Sequence, residues 1–180
     1  SECEPDAIAV AFDLKAPTFR HKMYSEYKAG RKGMPPELRS QMPIIKEILG
    51  YLGCCVVEKE GFEADDILGT LSAQCKGEDM CYIATGDRDS LQLVSDNTHV
   101  LLAATKMGKA VTTEYDKEKL KEEYGVEPKG MIEIKALMGD SSDNIPGVAG
   151  IGQKTAGDLV VNYGNIDYIY ENIDTLEIKP

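Results

Sequence analysis

Apolar positions along the chain fall into two patterns, short continuous runs and longer stretches with a helical period. The run "AIAVAF" (7–12) ends at Asp13 and is too short for a helix, so it reads as a buried strand. "CCVV" (54–57), "MCYIA" (80–84) and "HVLLA" (99–103) read the same way. Between them, "PELRSQMPIIKEILGYLG" (36–53) opens on Pro, keeps apolar residues at helical spacing and closes on Gly, which predicts a helix. Pro43 inside it predicts a kink or a late start. "EADDILGTLSAQCK" (63–76) predicts a helix with acids in its first turn, where the helix dipole favours them. "DRDSLQLVSD" (87–96) predicts a short helix start.

This β-α-β-α-β alternation predicts an α/β fold with a mainly parallel central sheet flanked by helices. From about residue 114 the pattern is helical throughout, with candidates at 113–125, 128–139, 152–164 and 166–173. The expected division is an α/β core over 1–125 and a helical part over 126–180. One stretch, 15–36, has no clean period, three Pro and two Gly, and reads as an irregular connection.

Composition narrows the function classes. No apolar run approaches the roughly 18 residues of a membrane span, and the first residues lack the pattern of a signal peptide, so no membrane association and a cytoplasmic location are expected. Of the five Cys (3, 54, 55, 75 and 81), none forms a C-x-x-C pair, and His is limited to 21 and 99. A zinc site is not expected, and the thiols read as reduced and mostly buried. The net charge of −11 argues against non-specific nucleic-acid binding by the whole surface. The charge is uneven, however. Residues 15–39 carry +5, including Arg20, Lys28 and Arg31, so the rest carries −16. A basic segment on an acidic body can bind a polyanion locally.

The acids fall at comparable places. Asp13 ends a strand, Asp87 and Asp89 follow another, and Glu63, Asp65 and Asp66 open a helix. Asp140 and Asp143 follow a later helix. In open α/β sheets ligand sites lie beyond the carboxyl ends of the strands. Taken singly these acids have ordinary explanations, capping for Asp66 and turn chemistry for Asp87. Together they would repel unless a cation intervenes. Oxygen-only ligation selects Mg²⁺ or Mn²⁺, and so many carboxylates suit two ions roughly 4 Å apart, an arrangement for phosphodiester cleavage.

"GVAGIGQKTAGDLV" (147–160) resembles a helix-hairpin-helix phosphate cradle. Gly150 and Gly152 let backbone amides approach a phosphate, the following helix start adds its dipole, and Lys154 and Thr155 add a charge and a hydroxyl. Outward carbonyls of such a loop could also hold a monovalent cation such as K⁺. It is not a nucleotide P-loop, because Gln153 stands where that motif requires Lys. A cation site next to an anion site in sequence fits a phosphodiester substrate.

Four blocks, "AFDLKAPTFRHKMYSEYKAGR", "GFEADDILGTL", "TGDRDSLQLVSD" and "GDSSDNIPGVAGIGQKTA", closely resemble the 5′ nuclease domains of bacterial DNA polymerase I, relatives of flap endonucleases. The blocks stand in the family's order over nearly the whole chain. The resemblance implies a metal-dependent, structure-selective 5′→3′ exonuclease and flap endonuclease. Its substrates would be DNA with a 5′ flap, a nick or an RNA primer, its state a monomer, and its context a covalently linked polymerase domain. Asp13, Glu63, Asp65 and Asp87 resemble ligands of the first metal. Asp89, Asp140 and Asp143 resemble those of the second, with Asp66 nearby. Arg20, Lys28 and Arg31 resemble arch residues that engage the 5′ strand and scissile phosphate, and the helix-hairpin-helix element would span about 139–164.

Members of that family begin with a strand of the type DG-x-x-x-x-x-R that carries a further metal-binding Asp. Nothing before Asp13 supplies it, and the family's last helices would follow Pro180, so the expectation is a piece of a longer domain. The alternative reading is therefore a catalytically impaired or inactive DNA-binding piece of the same domain. A phosphatase of the haloacid dehalogenase type is disfavoured, because Lys15 stands where its second Asp belongs.

Overall fold

The computed structural model describes residues 4–176. Cys3, singled out above, lies outside them. The described residues form two compact units, one of residues up to 71 with 142–144 and one of residues 72–141 with those from 145 on.

In the first unit, β1 (Ala9–Ala11) pairs in parallel with β2 (Cys55–Val57), with Val10 opposite Val56. The Phe12 N–H continues the ladder to the Val57 carbonyl at 3.0 Å, which leaves Asp13 as the first residue past the strand end. The basic connection is partly ordered into α1 (Phe19–Met23), where Thr18 and His21 cap the start reciprocally. α2 (Pro36–Tyr51) begins with Pro at its first position, where the missing N–H costs nothing. It runs on through Pro43, so the expected late start is not found. No α2 residue is buried, and Ile44, Ile45 and Ile48 are exposed. α3 (Ala64–Ser72) follows β2 and places Asp65 and Asp66 in its first turn.

The second unit holds most of the buried apolar residues, among them Ile83, Leu91, Val100, Leu102, Leu120, Ile134, Leu137 and Leu159. β3 (Cys81–Thr85) pairs in parallel with β4 (Thr98–Lys106). β4 buries alternate residues, Thr98, Val100 and Leu102, as a strand with one covered face does. A short 3₁₀ helix, residues 88–93, joins the two strands.

β5 (Lys109–Tyr115) pairs antiparallel with β4, and the sequence pattern did not predict it. The connecting residues Met107 and Gly108 both have positive φ, 50° and 75°, as a two-residue hairpin turn requires. The α/β class and the parallel pairs stand; among the described residues β1 and β2 form one hydrogen-bonded ladder, and β3, β4 and β5 another. The helix expected from 113 begins only at 117.

Four helices follow: α4 (Lys117–Tyr124), α5 (Gly130–Met138), α6 (Gln153–Tyr163) and α7 (Ile166–Glu171). Between α5 and α6, β6 (Gly139–Asp140) pairs with β7 (Ile145–Pro146). The backbones cross so closely there that a Cβ on Gly147 would lie 2.2 Å from the Met138 carbonyl carbon. The cysteines depart from expectation. Cys54, Cys75 and Cys81 are half-buried and Cys55 is exposed. Burial and the hydrogen-bonded Cys75 thiol push the Cys81 thiol up.

Candidate functional site

In the first unit the acids are laced to the basic connection. Asp13, held at the end of β1, accepts the Ala64 N–H at 2.7 Å and so caps the start of α3. Glu63, immediately before α3, is 7% exposed. Its carboxylate accepts from Lys28 Nζ at 2.8 Å and from the Tyr27 hydroxyl at 3.0 Å. The Tyr27 hydroxyl also lies 3.1 Å from Asp143 Oδ2. Burial, with both carboxylates beside it, carries the Tyr27 phenol well above its ordinary range. Arg31 forms an ion pair with Asp143, and its Nε donates to the Ser142 carbonyl at 3.2 Å. Arg20 holds Asp66 in a two-pronged pair. The three basic residues proposed to engage a nucleic-acid strand are thus placed on three acids of their own unit. Asp65 is exposed in the first turn of α3.

In the second unit, Asp87 follows β3 and caps the 3₁₀ helix, its carboxylate accepting the Asp89 N–H at 2.9 Å. Asp89 Oδ1 and Asp140 Oδ2 converge on one side chain: Lys135 Nζ lies 2.7 Å from the first and 2.9 Å from the second. Burial pulls the Lys135 ammonium down, but the two carboxylates together hold it above the ordinary lysine value.

Lys135 and Tyr27 escaped the sequence reading. The only signal for Lys135 is its place in the last turn of α5, where a cation is favoured. Tyr27 carries none, since one Tyr among nine says nothing about which acids it meets.

The glycine loop lies where α6 begins. Gly150 has φ +82°, a conformation that suits Gly, and Gly152 is the residue before the helix. A Cβ at either position would meet nothing within 4 Å. Lys154 and Thr155 are exposed in the first turn. An exposed helix start is a place where an anion can be received.

The donor chemistry of the acids is carboxylate oxygen throughout, and Asp89 and Asp140 already share one cationic point in Lys135. Such donors fit a hard divalent ion. Among the described residues, no three acidic, His or Cys side chains are gathered closely enough to hold a metal by themselves.

Residues 1–125 match the family model of the 5′-3′ exonuclease N-terminal resolvase-like domain, and residues 126–180 match the 5′-3′ exonuclease C-terminal SAM fold. The chain belongs to the 5′-3′ exonuclease family. It is 45% identical over 175 residues to DNA polymerase I of Caldicellulosiruptor bescii, covering 97% of this chain and 21% of that protein. It is 44% identical over 180 residues to DNA polymerase I of Bacillus caldotenax, covering 99% and 20%. The chain therefore spans about a fifth of the length of these relatives.

Among solved structures it is similar to the T5 D15 protein co-crystallised with metal ions, with a TM-score of 0.72, 26% identity and coverage of 97% of this chain and 67% of that one. The D15 flap endonuclease in a pseudo-enzyme-product complex with DNA and metal ions gives 0.72, 25%, 97% and 64%. No helix among the described residues is long and apolar enough to cross a membrane.

Proposed function

We propose that this chain is the 5′ nuclease part of a DNA polymerase I, hydrolysing phosphodiesters of DNA with a 5′ flap, a nick or an RNA primer. The observation that carries the reading is the convergence of Asp89 and Asp140 on one cationic point, in a chain whose two parts both match 5′-3′ exonuclease models. The metal-bound relatives support divalent-ion dependence, and the polymerase relatives support a cytoplasmic place beside a polymerase domain.

We assign metal ligation to Asp13, Glu63, Asp65 and Asp143 in the first unit and to Asp87, Asp89 and Asp140 in the second. Asp66 is given instead to the fold. Bound Mg²⁺ or Mn²⁺ would supply a nucleophilic water at neutral pH and charge stabilisation for the leaving oxygen.

The chain's own residues do the rest. Lys28 and Arg31 exchange their carboxylate partners for phosphate oxygens of the 5′ strand. The Gly150 and Gly152 amides and the start of α6 hold a duplex phosphate, and Lys154 and Thr155 add a charge and a hydrogen bond to it. Such contacts act on the backbone, so selection rests on the shape of the nucleic acid and not on its sequence. K⁺ at the loop carbonyls of residues 147–152 belongs to the same proposal.

The test is cleavage of an end-labelled 5′-flap duplex beside a blunt duplex of the same sequence. Cutting near the flap junction, dependent on Mg²⁺ and abolished by chelator, is expected. Equal cutting of both duplexes, or cutting that persists without divalent ions, contradicts the reading.

A further inference from the structure

Lys135 is a cation placed against two acids to which the proposed function gives a cation of another kind. Its ammonium lies 2.7 Å from Asp89 and 2.9 Å from Asp140, and its side chain is 38% exposed, so it can leave the pair for solvent along a flexible four-carbon stem. The position is built by the fold. Lys135 sits in the last turn of α5, its carbonyl accepts the Gly139 N–H that ends the helix, and Asp140 comes next in the chain. A lone exposed ion pair contributes little to stability. One ammonium shared by two partly buried carboxylates from different elements, Asp89 in the 3₁₀ helix and Asp140 in β6, is a more specific arrangement.

We propose that Lys135 is a tethered counter-ion that competes with the divalent cation for Asp89 and Asp140, and so sets how tightly this part of the protein holds metal. The proposal rests on the assignment of these two acids as metal ligands. An ammonium and a divalent ion cannot both sit on the same two oxygens, so binding the metal requires Lys135 to swing out. With Lys135 present the pair carries a net charge of −1, and without it −2. Coulomb's law puts the effect of one unit charge on a divalent ion about 5 Å away at tenfold or more in affinity, even in a water-like dielectric. The role is one of positioning and tuning, since Lys135 need not touch substrate.

Mn²⁺ binding without nucleic acid, followed by the resonance of free Mn²⁺, tests this directly. Four proteins are compared: the parent, Lys135→Met, Lys135→Arg and Asp140→Asn. Thermal melts establish that each is folded, and Lys135→Gln replaces Lys135→Met if the apolar variant is not. Lys135→Met is expected to bind Mn²⁺ about tenfold more tightly than the parent. Lys135→Arg, which keeps the charge, should bind no more tightly than the parent, and Asp140→Asn should bind more weakly. If Asp140→Asn loses affinity while Lys135→Met stays at the parent's value, the counter-ion role is overturned and the ligand assignment survives. If Asp140→Asn binds as the parent does, the ligand assignment falls and the inference falls with it.

Discussion

The Arg20 guanidinium donates through both terminal nitrogens to the two carboxylate oxygens of Asp66, each at 2.8 Å. Asp66 also accepts the Glu63 N–H at 2.9 Å, closing the first turn of α3 on itself. This acid is therefore committed to the fold, and the capping explanation available from sequence is the one the structure supports. The bonds from Arg20 hold the Asp66 carboxyl below its ordinary value against the opposing effect of burial.

A pH dependence of stability follows from that pair. A carboxyl whose folded value lies below its unfolded value stabilises fully above the unfolded value, and loses the contribution as pH falls through the folded one. The unfolded value is near 3.8. Arg20→Met should cost about 1 kcal/mol near pH 6, since the guanidinium is a third exposed and screened. The difference between parent and variant in urea unfolding should shrink as pH drops below about 4. A difference that stays constant down to pH 2 contradicts the account.

Tyr27 is predicted to be a structural link rather than a proton donor to substrate. Its buried hydroxyl stands between Glu63 and Asp143, two acids far apart in the chain. Tyr27→Phe leaves the ring and removes the donor, at an expected cost of about 1–2 kcal/mol. Urea unfolding at pH 7 measures it, and a variant as stable as the parent shows that the hydroxyl links nothing.

The glycines between α5 and α6 divide into two kinds. At Gly147 a Cβ would lie 2.2 Å from backbone, whereas at Gly150 it would meet nothing. Gly147→Ala should disrupt the β6–β7 crossing and lower the melting temperature severely. Gly150→Ala should cost only about 1 kcal/mol, the penalty of a positive φ. Similar melting curves for the two variants contradict this division.

Lys154 is predicted to contact phosphate through charge alone. Lys154→Ala should weaken flap binding about equally across sequences and lower the salt slope by about one unit. Binding titrations at several salt concentrations decide it, and an unchanged slope removes Lys154 from the interface.

Much of this was legible in the chain because period and punctuation agree. β1 to β4, α3, α5, α6 and α7 all appear close to where apolar spacing and bounding Gly or Pro put them. β5 did not, because Met107 stands where hairpin turns usually carry Asn or Asp, and Lys and Glu within the strand resemble the start of α4. α2 passes Pro43 because a helix can go on after losing one N–H. The acids themselves were legible, but their partners were not. Nothing in local sequence says that Lys28 will meet Glu63 or that Lys135 will meet Asp89, since these contacts span 35 residues in the first case and 46 in the second.

The most direct test of the central claim, that the acids carry metal-dependent hydrolysis, measures flap cleavage and flap binding on the same preparations of the parent, Asp87→Asn and Asp140→Asn over a range of Mg²⁺. On the proposed assignment, each substitution removes a ligand charge from the place where transition-state charge develops. A fall in cleavage of about a hundredfold or more is expected, with binding nearly unchanged. Cleavage by either variant near the parent's rate throughout that range would contradict the account.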